Sequence, residues 1–246
     1  MRIARATLYE LWRTPSAWVV AALATLYPLV VIGLLLGLLD ETWDAANVRS
    51  LLASASSVGM MMVLFGVVQA AGEYRHRTIV PLLLAEPRRT PAVVGRLAGY
   101  AVAGAVVGLV AAALSILLTY GWLAASGSAV GLRAGPLVAV IAGATAYTAL
   151  GTVLGGGLGG LARNQVAAVI AVFAYMNLDP PLAQAFPAYG RFGATALGVA
   201  MSGGLPEAGG PGQRLLPWPA ATAIWAGAAL ALAGAAILAT RRRELP

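Results

Sequence analysis

Lysine and cysteine are both absent from this 246-residue chain, and histidine occurs once. Without cysteine there is no disulfide, no thiolate metal site and no thiol nucleophile. Without lysine there is no Gly-Lys-Ser/Thr loop to cradle nucleotide phosphates, so any ATP chemistry belongs to another polypeptide. A single histidine, His76, set in a charged stretch, leaves neither a metal cluster nor an acid–base pair among the apolar runs. The chain by itself therefore reads as a non-enzyme that holds no cofactor or metal. Charge is scarce too: 10% of residues are charged and 60% hydrophobic, where a soluble domain carries about a quarter charged.

What is there instead is long uncharged runs, several exceeding the ~20 residues that cross a bilayer. They predict an all-α polytopic membrane protein, a single transmembrane domain over 1–246, with spans at 17–39, 50–72, 97–124, 134–162, 164–178 and 217–240. The formal charge of +7 comes from arginines beside these runs, which suits membrane flanks rather than nucleic acid. With the N-terminus inside, Arg2, Arg5, Arg13, Arg75, Arg77, Arg88, Arg89, Arg96, Arg163, Arg241, Arg242 and Arg243 are cytoplasmic. Only Arg49, Arg133, Arg191 and Arg214 then fall outside. That asymmetry predicts a multi-pass protein of a bacterial plasma membrane with both termini cytoplasmic.

Residues 1–15 read as an interfacial helix ended by Pro15, with Ala4, Leu8, Leu11 and Trp12 on the apolar face and Arg2, Arg5, Tyr9 and Arg13 opposite. Glycines recur at four-residue spacing, most densely in "LGGGLGGLARN", and predict close helix contact at the end of the fourth span. "DPP" is expected to halt the fifth span and push Asp179 out of the helix. The segment 179–216, broken by proline and glycine, then reads as external re-entrant half-helices, the best of them in "RFGATALGVAM". No Asp, Glu, Arg or His lies within a predicted span, which counts against a self-powered carrier.

One charged loop, 73–91, interrupts the apolar pattern with "EYRHRTIVPLLLAEPRRTP". Thr78 is a candidate N-cap for a short helix, Pro81 fits its first turn, and Pro87 ends it. Ile79, Leu82 and Leu83, with Glu86 beyond them, share one face of this two-turn helix. So short a helix is marginal alone and needs a surface to pack on.

This layout resembles the membrane subunits of ABC-2-type transporters, which share the ABCG-like, or type V, exporter fold. The resemblance rests on an amphipathic helix before six spans, on Glu73-Tyr74-Arg75-His76-Arg77-Thr78, on Leu83-Leu84-Ala85-Glu86-Pro87-Arg88-Arg89, and on the broken segment between the last two spans. Arg77 departs from the family, where many members have glycine before the threonine. The resemblance implies that the loop is a coupling helix docking on a separate ATPase subunit, which binds the ATP and magnesium. Its contacts would come from Glu73, Arg75, Thr78, Ile79, Leu82, Leu83, Glu86, Arg88 and Arg89. It also implies a second permease subunit, identical or not, and a substrate path lined by the second and fifth spans. Candidates there are Met60, Met61, Phe65, Gln69, Phe173, Met176 and Asn177. The expected cargo is an exported hydrophobic or amphipathic compound: a drug, an antibiotic or a lipid-like molecule. Two other classes stay open on sequence: a stand-alone channel or secondary carrier, and a membrane accessory subunit with no path of its own.

Overall fold

The computed structural model describes residues 2–38, 43–75, 89–128, 130–162, 164–209 and 214–242. Among these residues the chain is helical, with no strand. The helices are α1 (Arg2–Arg13), α2 (Pro15–Leu38), α3 (Ala45–Ala53), α4 (Val58–Arg75), α5 (Arg89–Ala125), α6 (Ala134–Leu161), α7 (Gln165–Ala185), α8 (Pro187–Gly190), α9 (Ala194–Met201) and α10 (Trp218–Arg242). Six helical segments are long and apolar enough to cross a membrane, so the chain is a multi-pass membrane protein.

Local chemistry sets the ends. Pro15 opens α2, where its missing N–H costs no helical bond. Asp44 caps α3 by accepting from the Asn47 N–H at 2.7 Å. From there α3, a 3-10 turn at Ser54–Ser57 and α4 run on as one rod, so the second span starts before residue 50. In that turn Ser54 and Ser56 donate back to the Leu51 and Ala53 carbonyls at 2.5 and 2.8 Å, a pattern that bends helices.

Helix α5 has 37 residues, roughly 55 Å at the helical rise, against a hydrocarbon core of about 30 Å. Its first turns therefore overhang, and α1 docks on them: Ile3 sits against Gly95, and Thr7 against Gly99. The face of α1 that packs carries Thr7 and Leu11. Trp12 lies off that face: it is 69% exposed and packs edge-on to Trp18 with centroids 4.7 Å apart. Arg96, only 8% exposed, reaches Glu10 at 3.7 Å.

Helix α6 is the hub, packed against α4, α5, α9 and α10. Its glycines face different neighbours. A methyl at Gly155 would overlap the Val63 carbonyl, and one at Gly159 would lie 2.6 Å from the Val67 oxygen, both on α4. Gly156 meets Tyr100 on α5, and Gly157 meets the Leu232 backbone on α10. Where a Cβ has no room, only glycine lets backbones come this close in lipid.

Two expectations fail. Helix α7 continues through Pro180 and Pro181 to Ala185, so 179–185 belongs to the fifth span rather than to the segment after it. The spanning helices are not free of charge either: Arg49 and Asp179 lie in the second and fifth, just outside the bounds expected for them. Tertiary bonds to Asp179, described below, offset the two helical bonds that the prolines remove.

Replacing Gly155 or Gly159 with alanine should lower the unfolding midpoint in detergent, at a cost of about 1–3 kcal/mol each, as overpacking does. Gly227→Ala, where nothing lies within 4 Å, should leave it unchanged.

Candidate functional site

A cavity of about 700 Å³ lies between α7 and α10, backed by α4 and α6 and closed at one end by α9. It exists because α7 packs along α4 but scarcely touches α10. Met60, Val63, Leu158, Val172, Leu197 and Trp225 make up much of an apolar wall that contains no charged side chain. A smaller chamber of about 200 Å³ adjoins it, lined by Tyr27, Ser54, Ser56, Ser57, Met60 and Thr195 among others. Met60 belongs to both walls.

Helix α9 shapes this end of the molecule, and three distant residues hold it. At its N-terminus, Asp179 is 1% exposed. Its Oδ2 accepts from the Thr195 N–H at 3.0 Å, and its Oδ1 from the Tyr189 hydroxyl at 2.5 Å, with the Tyr175 hydroxyl 3.4 Å away. Burial, and donation to Asp179, raise the Tyr189 phenol above its ordinary value, so it stays a neutral donor. Gly193 permits the approach, since a Cβ there would lie 2.7 Å from Oδ1. At the C-terminus, the Arg49 Nε donates to the Gly203 carbonyl at 2.6 Å, across a turn whose Gly203 has φ +75°. A carboxylate at the N-terminus and a guanidinium at the C-terminus both match the helix dipole.

The third hold is Tyr147 on α6, fully buried, whose hydroxyl donates to the Ala194 carbonyl at 2.8 Å. Its ring stacks on Trp225 with centroids 4.7 Å apart, and the Trp225 indole N–H donates to the Tyr147 carbonyl at 3.0 Å. Gly59 and Gly198 leave room for that ring.

The residues expected to line a path are divided. Met60 and Met176 meet at the small chamber. Phe65 is buried, and Met61 packed, in a different cluster with Met62 and Tyr100, on the α2 and α5 side. Gln69 is half-buried on α4, while Phe173 and Asn177 are exposed on α7. Of the expected coupling residues, Glu73 and Arg75 fall in the last turn of α4 and Arg89 opens α5. Thr78, Ile79, Leu82, Leu83, Glu86 and Arg88 lie outside the described residues. Sequence reasoning passed over Tyr147, Trp225, Tyr189, Arg49 and Asp179. Only Asp179 carried a clear signal: it is the sole acidic residue between Glu86 and Glu207.

Compared with models of known protein families and with curated proteins, the chain matches none. Function must therefore be read from the geometry. If the Asp179 carboxylate holds α9, Asp179→Asn should cost about 2 kcal/mol of stability, the order of one charge-assisted hydrogen bond. Asp179→Ala should cost more, because it strands the Thr195 N–H and the Tyr189 hydroxyl. Arg49→Met should act in the same direction. Thermal unfolding in detergent, with Gln184→Ala on the partly exposed end of α7 as the reference, measures all three.

Proposed function

We propose that this chain is the membrane subunit of an ATP-driven exporter of the ABC-2 type, moving a hydrophobic or amphipathic compound with ATP hydrolysed by a separate subunit. The observation that carries this reading is the uncharged 700 Å³ cavity, walled in part by the second and fifth spans through Met60, Val63, Val172 and Tyr175. Apolar walls with an adaptable methionine suit a greasy cargo of variable shape. The absence of lysine supports an external energy source. In this reading the chain sits in a bacterial plasma membrane with both termini cytoplasmic, α1 lies at the cytoplasmic interface, and α8 and α9 are half-helices in the outer leaflet. A second permease subunit, identical or not, would pair with it, and the ATPase would bind the nucleotide and magnesium.

A second reading has one observation in its favour. Asp179 is a buried carboxylate inside a span, as ion-coupled carriers have. Against it, Asp179 lines neither chamber, and both its oxygens already accept from Tyr189 and Thr195. A carrier would move cargo in liposomes containing this chain alone, driven by an ion or proton gradient; the exporter would need ATP and its partner.

The coupling test is a substitution in the loop. Leu83→Asp should release a co-expressed ATPase or uncouple its hydrolysis, since it removes apolar burial worth roughly 1.5–3 kcal/mol and buries a carboxylate. Leu84→Asp, on the opposite face by helical spacing, should be milder. Retention of both binding and stimulated hydrolysis in Leu83→Asp removes this stretch as the coupling element. For orientation, a cysteine at exposed Glu207 should react with an impermeant thiol reagent on intact cells, and one at exposed Arg13 only after permeabilisation. The cysteine-free background makes the labelling unambiguous.

A further inference from the structure

The two chambers differ in polarity in a way that defines the ligand. The larger is apolar, and no charged side chain lines either one. Six of the ten residues around the smaller one carry hydroxyls: Tyr27, Ser54, Ser56, Ser57, Tyr147 and Thr195. Several of those protons are already committed. Ser54 donates to Leu51, Ser56 to Ala53, and Tyr147 to Ala194, all through backbone carbonyls. A hydroxyl that has spent its proton can still accept through its lone pairs. Met176 and Pro180 also line this chamber, and Pro180 has no N–H to give the Met176 carbonyl its helical bond. The small chamber thus sets three hydroxyls that can only accept, Ser54, Ser56 and Tyr147, beside three whose protons are uncommitted, Tyr27, Ser57 and Thr195. The Ser57 hydroxyl oxygen, inaccessible and without a partner among the described residues, is one more group there to satisfy.

From this we infer that the cavity takes a neutral amphipath whose apolar body fills the larger chamber and whose small head both donates and accepts hydrogen bonds in the smaller one. A hydroxyl or primary amide head fits. A carboxylate or an ammonium would be buried with no counter-charge, since no charged side chain lines either chamber. The chambers adjoin through consecutive residues, Tyr175 and Met176 on α7 and Ala194 and Thr195 on α9, with Met60 between them. Its unbranched side chain can shift to admit a ligand that spans both. This assignment rests on the exporter reading for its biological role, but not for the binding itself.

The test uses the purified full chain in lipid nanodiscs and four probes sharing one 9,10-dibromo-octadecyl chain: primary amide, methyl ester, carboxylate and trimethylammonium. Bromine quenches nearby indoles, and Trp225 lines the larger chamber. The difference between wild type and Trp225→Phe isolates its signal from that of lipid-facing tryptophans. The amide should bind at least about tenfold more tightly than the ester, as the loss of a well-made buried hydrogen bond implies, and tighter still than either charged probe. Thr195→Val, at an exposed position, and Ser57→Ala should each narrow the gap between amide and ester without weakening the ester. A thermal-shift series on the unaltered chain, which does not depend on Trp225, should rank the probes identically. Equal binding of ester and amide, tighter binding of a charged probe, or a gap unchanged in both variants overturns the assignment. Adding the ATPase and ATP separates cargo from a resident lipid, as translocation or retention of the amide. Either outcome leaves the binding assignment standing, and failure of ATPase association defeats only the exporter reading.

Discussion

The backbone contact between α4 and α6 is the constraint on which the rest of the molecule depends. Between helices in lipid there is no hydrophobic gain to be had, because the tails are as apolar as leucine. Association must come from close packing, and close packing needs surfaces without side chains. Gly155 and Gly159 present that surface to α4, Gly156 to α5 and Gly157 to α10. Consecutive helix positions point about 100° apart, so a short glycine run addresses several neighbours at once. This is why α6 sits between α4, α5 and α10 and packs closely on all three.

Helix α9 poses the opposite problem. With eight residues it is too short to satisfy its own ends, and each end leaves backbone groups without helical partners. Left unpaired inside a protein, such groups are costly. The chain answers with charges drawn from elsewhere: Asp179 from α7 at the N-terminus and Arg49 from α3 at the C-terminus. Both are oriented to favour the dipole as well as the hydrogen bond. The same two residues explain the charges carried by the second and fifth spanning helices. They serve a short helix, and the Tyr189 phenol stays a neutral donor alongside them.

The number and rough placement of the spans were legible because lipid imposes long uncharged runs and little else in a sequence produces them. The glycine cluster was legible as tight packing, though its neighbours were not, since spacing does not say which face meets which helix. Reading "DPP" as a stop went wrong for a physical reason. Local preference disfavours helix before proline by a modest amount, whereas Asp179 gains its partners only if α7 continues. Tyr147 and Trp225 left no trace, because an aromatic residue in an apolar run resembles any other core residue until its ring partner is known. The cavity was legible only in part. Of the residues named for the second and fifth spans, Met60 and Met176 line the small chamber, whereas Met61 and Phe65, on the same helix as Met60, turn toward α2 and α5.

The proline pair links these threads. Asp179, just before it, fixes the end of α7 to α9. Pro180, just after, lines the small chamber and has no N–H to give the Met176 carbonyl its helical bond. Along the rest of its length α7 leans on α4, buries little else, and stands away from α10. A helix fixed at one end and packed on one side can border a cavity without filling it. A fifth span packed on both sides would have stabilised the fold more, but it would have closed the large uncharged space between the spans. The weaker packing of α7 is thus the condition for having a cavity at all, and the clamp at Asp179 keeps that weakness from spreading to α9.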